Sequence, residues 1–177
     1  AMVVSIDKAT ALRMYDRVRK YWPADDKTDM AVVVSAGQNE IEQMAKLGID
    51  IVPHRKRIND EKLDDKFKDP NDPLRLVFVC AMWLTGFDAP NCSTVYLDKP
   101  MRNHTLMQTI ARANRVYPGK QSGLIVDYAN VFASLEKALA IYGKGSCGEM
   151  HVRHKKELAE EVRYAVNDAN LYCLEHR

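Results

Sequence analysis

The sequence predicts an α/β domain with a parallel sheet flanked by helices, followed by a helical extension at its C-terminal end. Short runs of continuous Val, Ile and Leu recur along the chain, separated by stretches with helical periodicity. The Ala-Val-Val-Val run from Ala31 to Val34 is apolar at every position rather than alternately, as expected of a strand buried on both faces. With 177 residues, 46% hydrophobic and 28% charged, the chain is one domain of ordinary size, long enough to bury a core.

Met2 to Ile6 reads as the first strand, and Asp7 caps a helix from Lys8 to about Tyr21. Ala11, Leu12, Met14, Tyr15 and Val18 form the apolar stripe of that helix. A charged loop leads to a second strand, Met30 to Ser35. Asn39 to Leu47 reads as a helix ended by Gly48, a C-cap residue. Residues 54–69 mix acids and bases densely and read as a solvated helix or loop closing near Phe67. After the turn-forming Pro70-Asn-Asp-Pro73 come a third strand, Leu74 to Val79, and a fourth, Thr94 to Leu97. A helix from about His104 to Arg115 stops before Pro118-Gly119. Gly123 to Val126 makes a fifth strand, with a helix from Val131 to Tyr142 beside it. We expect a domain over 1–142, a glycine-rich hinge at 143–148 and a polar helical extension over 149–177 toward a following helical domain.

The net charge of +2 is neutral on the question of nucleic acid, because a basic groove can be balanced by acid elsewhere. Its distribution says more: Arg102, Arg112, Arg115 and Lys120 fall between Met101 and Lys120 with no acid among them. The four cysteines, Cys80, Cys92, Cys147 and Cys173, form no Cys-x-x-Cys pair, which reads as reduced thiols in a cytoplasmic protein. His151 and His154 stand at i and i+3 without a supporting acid or cysteine, so no metal site is expected. No apolar run has the length of a membrane span. Ala1-Met2 opens directly into a strand, which leads us to expect a piece of a longer protein.

Ligands of open parallel sheets bind beyond the carboxyl ends of the strands. Two segments turn polar there. Trp83-Leu-Thr85-Gly86-Phe87-Asp88-Ala-Pro90 offers a hydroxyl, a tight turn and a carboxylate, although Thr-Gly alone also fits an ordinary turn. Asp98-Lys99-Pro100-Met-Arg102-Asn-His104 precedes a helix N-terminus, where Lys99 and Arg102 can attract an anion. Within that helix Gln108, Arg112 and Arg115 fall at i, i+4 and i+7. They share one face, while Leu106, Ile110 and Ala113 project from an apolar side. Two guanidinium forks in line suit a polyphosphate, and a solvated basic face is the bland alternative.

Leu-Thr-Gly-Phe-Asp-Ala-Pro and Gln-x-x-Ala-Arg-x-x-Arg, roughly twenty residues apart, resemble motifs V and VI of superfamily 2 helicases. The longer run from Ala81 through Tyr128 resembles the motor part of the R subunit of type I restriction enzymes. Met-Trp-Leu-Thr-Gly-Phe-Asp-Ala-Pro, Tyr-Leu-Asp-Lys-Pro-Met-Arg, Leu-Met-Gln-x-Ile-Ala-Arg-Ala-Asn-Arg-Val and Gly-Leu-Ile-Val-Asp-Tyr carry that likeness. Met2 to Ile6 and its helix resemble motif IV, so the likeness covers residues 2 to about 142.

The resemblance implies the second RecA-like domain of an ATP-driven translocase of double-stranded DNA. ATP would lie between two such domains, the other one supplying the phosphate loop and the magnesium-binding acids. Carried over by motif, Arg115 and Arg112 would reach the γ-phosphate, with Gln108 orienting one of them or the phosphate. Gly86 and Asp88 would lie near the nucleotide sugar or couple it to DNA. Thr85, Ser5, Ser35, Lys99 and Arg102 are the candidate contacts to DNA phosphates. Many superfamily 2 motors carry Thr or Asp near the start of motif V, where this chain has Cys80-Ala81. The implied partners are the first RecA-like domain and the nuclease domain of the parent chain, double-stranded DNA, and the methylation and specificity subunits.

The chain has no Gly-x-x-x-x-Gly-Lys-Ser/Thr loop, no paired acids after an apolar strand, and no match to a PD-(D/E)xK nuclease. The expectation is a parent enzyme, an ATP-dependent type I site-specific deoxyribonuclease, of which this piece alone is inactive. The alternatives are the equivalent domain of another superfamily 2 helicase or remodeller, a stand-alone α/β domain binding a phosphate ligand, and a scaffold for an acidic partner.

Overall fold

The computed structural model of the chain describes residues 1–23, 27–84, 86–101 and 103–131, together with Glu160, Arg163 and Tyr164. The expected helix after Val131, the hinge, the His151/His154 pair and the rest of the C-terminal extension lie outside the described residues. The sheet and its helices belong to the unit Ala1–Ile141.

Five strands form one parallel sheet: β1 (Met2–Ser5), β2 (Asp29–Val33), β3 (Leu74–Val79), β4 (Thr94–Asp98) and β5 (Leu124–Asp127). They lie in the order β2-β3-β1-β4-β5. The chain thus winds outward from β1 in one direction and returns across it to build the other half. This doubly wound parallel sheet agrees with a RecA-like α/β fold.

The continuous apolar runs divide between two cores because alternate side chains of a strand point to opposite faces. Met2, Val4, Ala31, Val33, Val77, Val79, Val95 and Leu97 face one core. Val3, Met30, Val32, Leu76 and Phe78 face the other. Helix α1 (Lys8–Arg19) covers the second face through Ala11, Leu12 and Tyr15. Asp7 caps it, its Oδ1 accepting from the Thr10 N–H at 2.7 Å, and that bond holds the Asp7 carboxyl below the usual range.

Helix α2 (Glu40–Lys46) ends as expected at Gly48, whose φ is +71°. Gly48 N–H bonds the Ala45 carbonyl at 3.0 Å and Ile49 N–H the Met44 carbonyl at 3.0 Å, the paired closure of a Schellman motif. The charged stretch left open between helix and loop resolves into two helices, α3 (Val52–Glu61) and α4 (Leu63–Lys68). Lys62, at φ +48°, breaks them apart, and Leu63 and Phe67 of α4 are buried.

α3 is held by charge. Arg57 grips Glu61 through Nε–Oε1 at 2.9 Å and Nη2–Oε2 at 3.1 Å, and also reaches Asp29 Oδ2 at 2.6 Å. Lys66 adds 2.9 Å to Glu61 Oε2. Arg57, then Lys66, hold the Glu61 carboxyl at about 2, below its ordinary 4.5. A depressed carboxyl stabilises the fold above its unfolded value and loses that contribution as pH falls toward the folded one. Glu61→Gln should therefore melt below the wild type at neutral pH, by a margin kept small by solvent screening. The gap should close between pH 4.5 and about 2 in a pH series of thermal melts; a gap independent of pH would refute this role.

Helix α5 (Asn103–Ala113) packs on the first face through Leu106, Ile110 and Ala113, the apolar stripe expected from the sequence. It ends at Ala113, two residues earlier than expected, with Asn114 N–H closing on the Ile110 carbonyl at 3.1 Å. Arg115 therefore lies beyond the helix. No helix among the described residues is long and apolar enough to cross a membrane.

Candidate functional site

Parallel strands bring the loops after β1, β3 and β4 to one edge, and most of the expected site residues lie there. The loop after β3 (residues 80–93) runs beside α5. Its turn uses two left-handed residues, Gly86 at φ +69° and Trp83 at φ +66°. Gly86 is exposed, with open space where a side chain would stand. Trp83 has a Cβ and is strained there. An aromatic stack holds it: Phe87 lies 4.1 Å away at 9°, and Phe67 of α4 at 5.7 Å. Trp83 thus packs at the edge, and Trp22 is likewise half-buried, its indole N–H on the Thr28 carbonyl at 3.2 Å.

Cations from outside this loop donate to its backbone carbonyls. Lys99 Nζ reaches the Cys80 carbonyl at 3.1 Å, and Arg112 Nη2 the Leu84 carbonyl at 2.9 Å. Lys120 Nζ reaches the carbonyls of Pro90 at 3.0 Å and Cys92 at 2.8 Å. Cys80 donates its thiol to the Ile6 carbonyl at 3.6 Å. The loops after β1, β3 and β4 are thus laced together.

The solvated basic face that stood as the bland alternative does not form here. Arg112 is only 9% exposed, its guanidinium lying 5.9 Å from the centre of the Phe87 ring, and burial lowers its pKa. Lys120 is spent on carbonyls. Arg115 keeps 58% of its side chain exposed and meets Asp88, 60% exposed, with Nε–Oδ1 at 3.6 Å. An exposed pair of this kind is worth about 0–1 kcal/mol, so the Arg115 guanidinium can change partners at little cost. Gln108, one turn before Arg112, is half-buried.

Among the residues expected along DNA, Ser35 is exposed just beyond β2, and Lys99 is half-buried. Ser5 is fully buried and its hydroxyl lies 3.5 Å from Met14 Sδ, so it presents nothing to a phosphate in this conformation. Thr85 and Arg102 lie outside the described residues, and His104 is exposed. The sequence reading missed a charged knot at Ser35. Lys8 Nζ bonds the Ser35 carbonyl at 2.8 Å and the buried Glu40 at 2.5 Å, and Arg55 pairs with the same carboxylate. Nothing in their spacing signals that three residues so far apart in the chain converge. Among the described residues no three His, Cys, Asp or Glu side chains gather to hold a metal.

Comparison with known proteins assigns this arrangement to a family. Residues 52–130 match the family described as type I restriction enzyme subunit R domain 3. The type I restriction enzyme HindI endonuclease subunit of Haemophilus influenzae is 39% identical over 161 residues, covering 84% of this chain and 15% of that protein. The putative type I restriction enzyme MjaIXP endonuclease subunit of Methanocaldococcus jannaschii is 36% identical over 169 residues, covering 95% and 15%. A second putative subunit from that organism, MjaVIIP, is 32% identical over 176 residues, covering 92% and 16%. The chain spans about 15% of the length of the first two of these relatives. With the RecA-like sheet and the motif loops at its carboxyl edge, this chain belongs to the R-subunit family of type I restriction enzymes.

Proposed function

We propose that this chain supplies half of an ATP site and part of the DNA track to the R subunit of a type I restriction enzyme. That subunit would move double-stranded DNA by ATP hydrolysis before cutting it. The observation that carries the reading is Arg115: exposed, permanently charged and weakly held beside Asp88 at the carboxyl edge of the sheet. Such a group fits a nucleotide phosphate presented by a facing domain.

ATP with Mg²⁺, bound mainly by that facing domain, would supply the phosphoryl group whose transfer drives motion. Arg115 would hold charge on the γ-phosphate, an effect worth about 10³–10⁵ in rate where such fingers act in GTPases. Asp88 and Gly86 would border the nucleotide sugar, with Gln108 orienting the phosphate or its arginine. Ser35, Lys99 and the Thr85 and Arg102 positions would follow the DNA backbone. Methylation and specificity subunits would complete the enzyme and choose its site. A cytoplasmic setting follows from a substrate of intracellular DNA.

Half a cleft should neither bind nor turn over nucleotide. Calorimetry with ATP is expected to show no tight binding by the 177-residue chain, and a phosphate-release assay no turnover with DNA present. Tight binding would favour a self-contained phosphate-ligand domain. DNA-stimulated hydrolysis by the chain alone, lost in Arg115→Ala, would sink the half-site reading.

A further inference from the structure

We propose that Arg112 is a positioning residue for the 83–88 loop, and not a second ligand of the nucleotide phosphate. This rests on the reading of the chain as half of an ATP site and assigns unlike tasks to its two motif arginines.

The two differ in every physical respect that matters for reaching a ligand. Arg115 is 58% exposed and holds one carboxylate loosely at 3.6 Å. Arg112 is 9% exposed, with its Nη2 on the Leu84 carbonyl at 2.9 Å and its guanidinium over the Phe87 ring at 5.9 Å. Its Nε is buried without a hydrogen-bond partner among the described residues. An arginine kept in such a place with an unmet donor is a poor choice for stability, since an apolar side chain of similar volume would avoid that cost. What an apolar side chain cannot do is fix the carbonyl of Leu84.

The contacts fall at informative points. Leu84 and Phe87 bracket Thr85 and Gly86, the latter in left-handed backbone with open space around it. Trp83, strained at φ +66°, stacks on Phe87 at 4.1 Å, so the ring under Arg112 also restrains the start of the turn. Asp88 follows Phe87 directly and is the residue that meets Arg115. By holding residues 84 and 87, Arg112 sets where Asp88 stands, and through it where Arg115 waits. Lys99 and Lys120 do the same for the two ends of the loop, at Cys80 and at Pro90 and Cys92. Bonding the loop through its carbonyls is therefore its general mode of attachment, and Arg112 is the middle staple.

Trp83 reports on this directly. The chain has two tryptophans, so a Trp22→Phe background leaves Trp83 alone. In that background Arg112→Met, which keeps bulk but not donors, should shift Trp83 emission to the red and raise its quenching by acrylamide. Arg112→Lys, which keeps a charged donor, should restore much of the wild-type signal, and Arg115→Ala should leave it unchanged. Unaltered emission in Arg112→Met would overturn the proposal.

A second measurement decides the matter even if Arg112→Met does not fold. In the intact R subunit, Arg112→Lys should retain most of kcat for ATP. Arg115→Lys should lose most of it at nearly unchanged KM, because a point charge cannot reproduce the fork. Equal kcat losses in the two lysine variants would overturn the proposal by making Arg112 a second finger. Full activity in Arg115→Lys and Arg115→Ala would instead defeat the half-site reading, leaving the fluorescence result to judge the staple.

Discussion

Arg115→Ala in the intact R subunit should reduce ATP turnover by about 10³–10⁵, the range by which arginine fingers accelerate phosphoryl transfer in GTPases. The loss should appear in kcat, with KM for ATP little changed, because the guanidinium counters charge that develops only in the transition state. The same substitution in the 177-residue chain should leave its melting temperature where it was. Arg115 lies beyond α5, is more than half exposed, and makes one loose ion pair, worth about 0–1 kcal/mol. This combination separates a finger from a framework residue: a large kinetic effect with no thermal one. Steady-state hydrolysis on DNA and a thermal melt of the chain test the two halves. Wild-type turnover in Arg115→Ala would remove the residue that carries the functional proposal.

Much of the fold was legible because strand and helix signals are local. Apolar runs placed all five strands to within a residue or two, most plainly β1 and β2, which are buried at nearly every position and so need apolar side chains in succession. Asp7 and Gly48 marked helix ends through side-chain capping and left-handed backbone, both properties of single residue types. The two helices α3 and α4 were harder to read. Their stability comes from ion pairs such as Arg57–Glu61 and from two buried residues, Leu63 and Phe67, too few to print a periodicity.

The site was legible as a group of residues and not as an arrangement. Motif spacing singled out Gly86, Asp88, Gln108, Arg112 and Arg115, and the structure places them on one loop and the adjoining helix and turn. Arg112 and Arg115 are equivalent in the sequence, yet one is buried and one exposed. The difference arises because α5 stops at Ala113 and because the acceptor of Arg112 is a backbone carbonyl, whose presence no side chain announces. The same reason hid the tasks of Lys99 and Lys120. Ser5 was implied by the family resemblance, but it is buried, its hydroxyl against Met14 of α1.

Gly123→Ala should lower the melting temperature by several degrees and impair ATP turnover in the intact subunit, although residue 123 contacts no expected ligand. A Cβ built on Gly123 would stand 2.3 Å from the Ala113 carbonyl oxygen, 2.4 Å from its carbon and 3.0 Å from the Ala113 Cβ. The two nearest are backbone atoms, so no rotamer change relieves them; either the end of α5 or the approach to β5 must move. Overpacking of this kind costs about 1–3 kcal/mol, and a chain of this size loses about 2–4 °C per kcal/mol. Gly48→Ala is the control, because Gly48 is left-handed with nothing within 4 Å and would suffer backbone strain alone. The functional loss follows from what the end of α5 carries. Arg112 stands one residue before Ala113, so displacing that carbonyl draws the guanidinium away from Leu84 and shifts the chain leading to Arg115. A thermal melt beside steady-state hydrolysis tests both parts. Wild-type melting by Gly123→Ala would show that α5 and β5 can part without cost, and would remove the rigid seat assigned to the arginines.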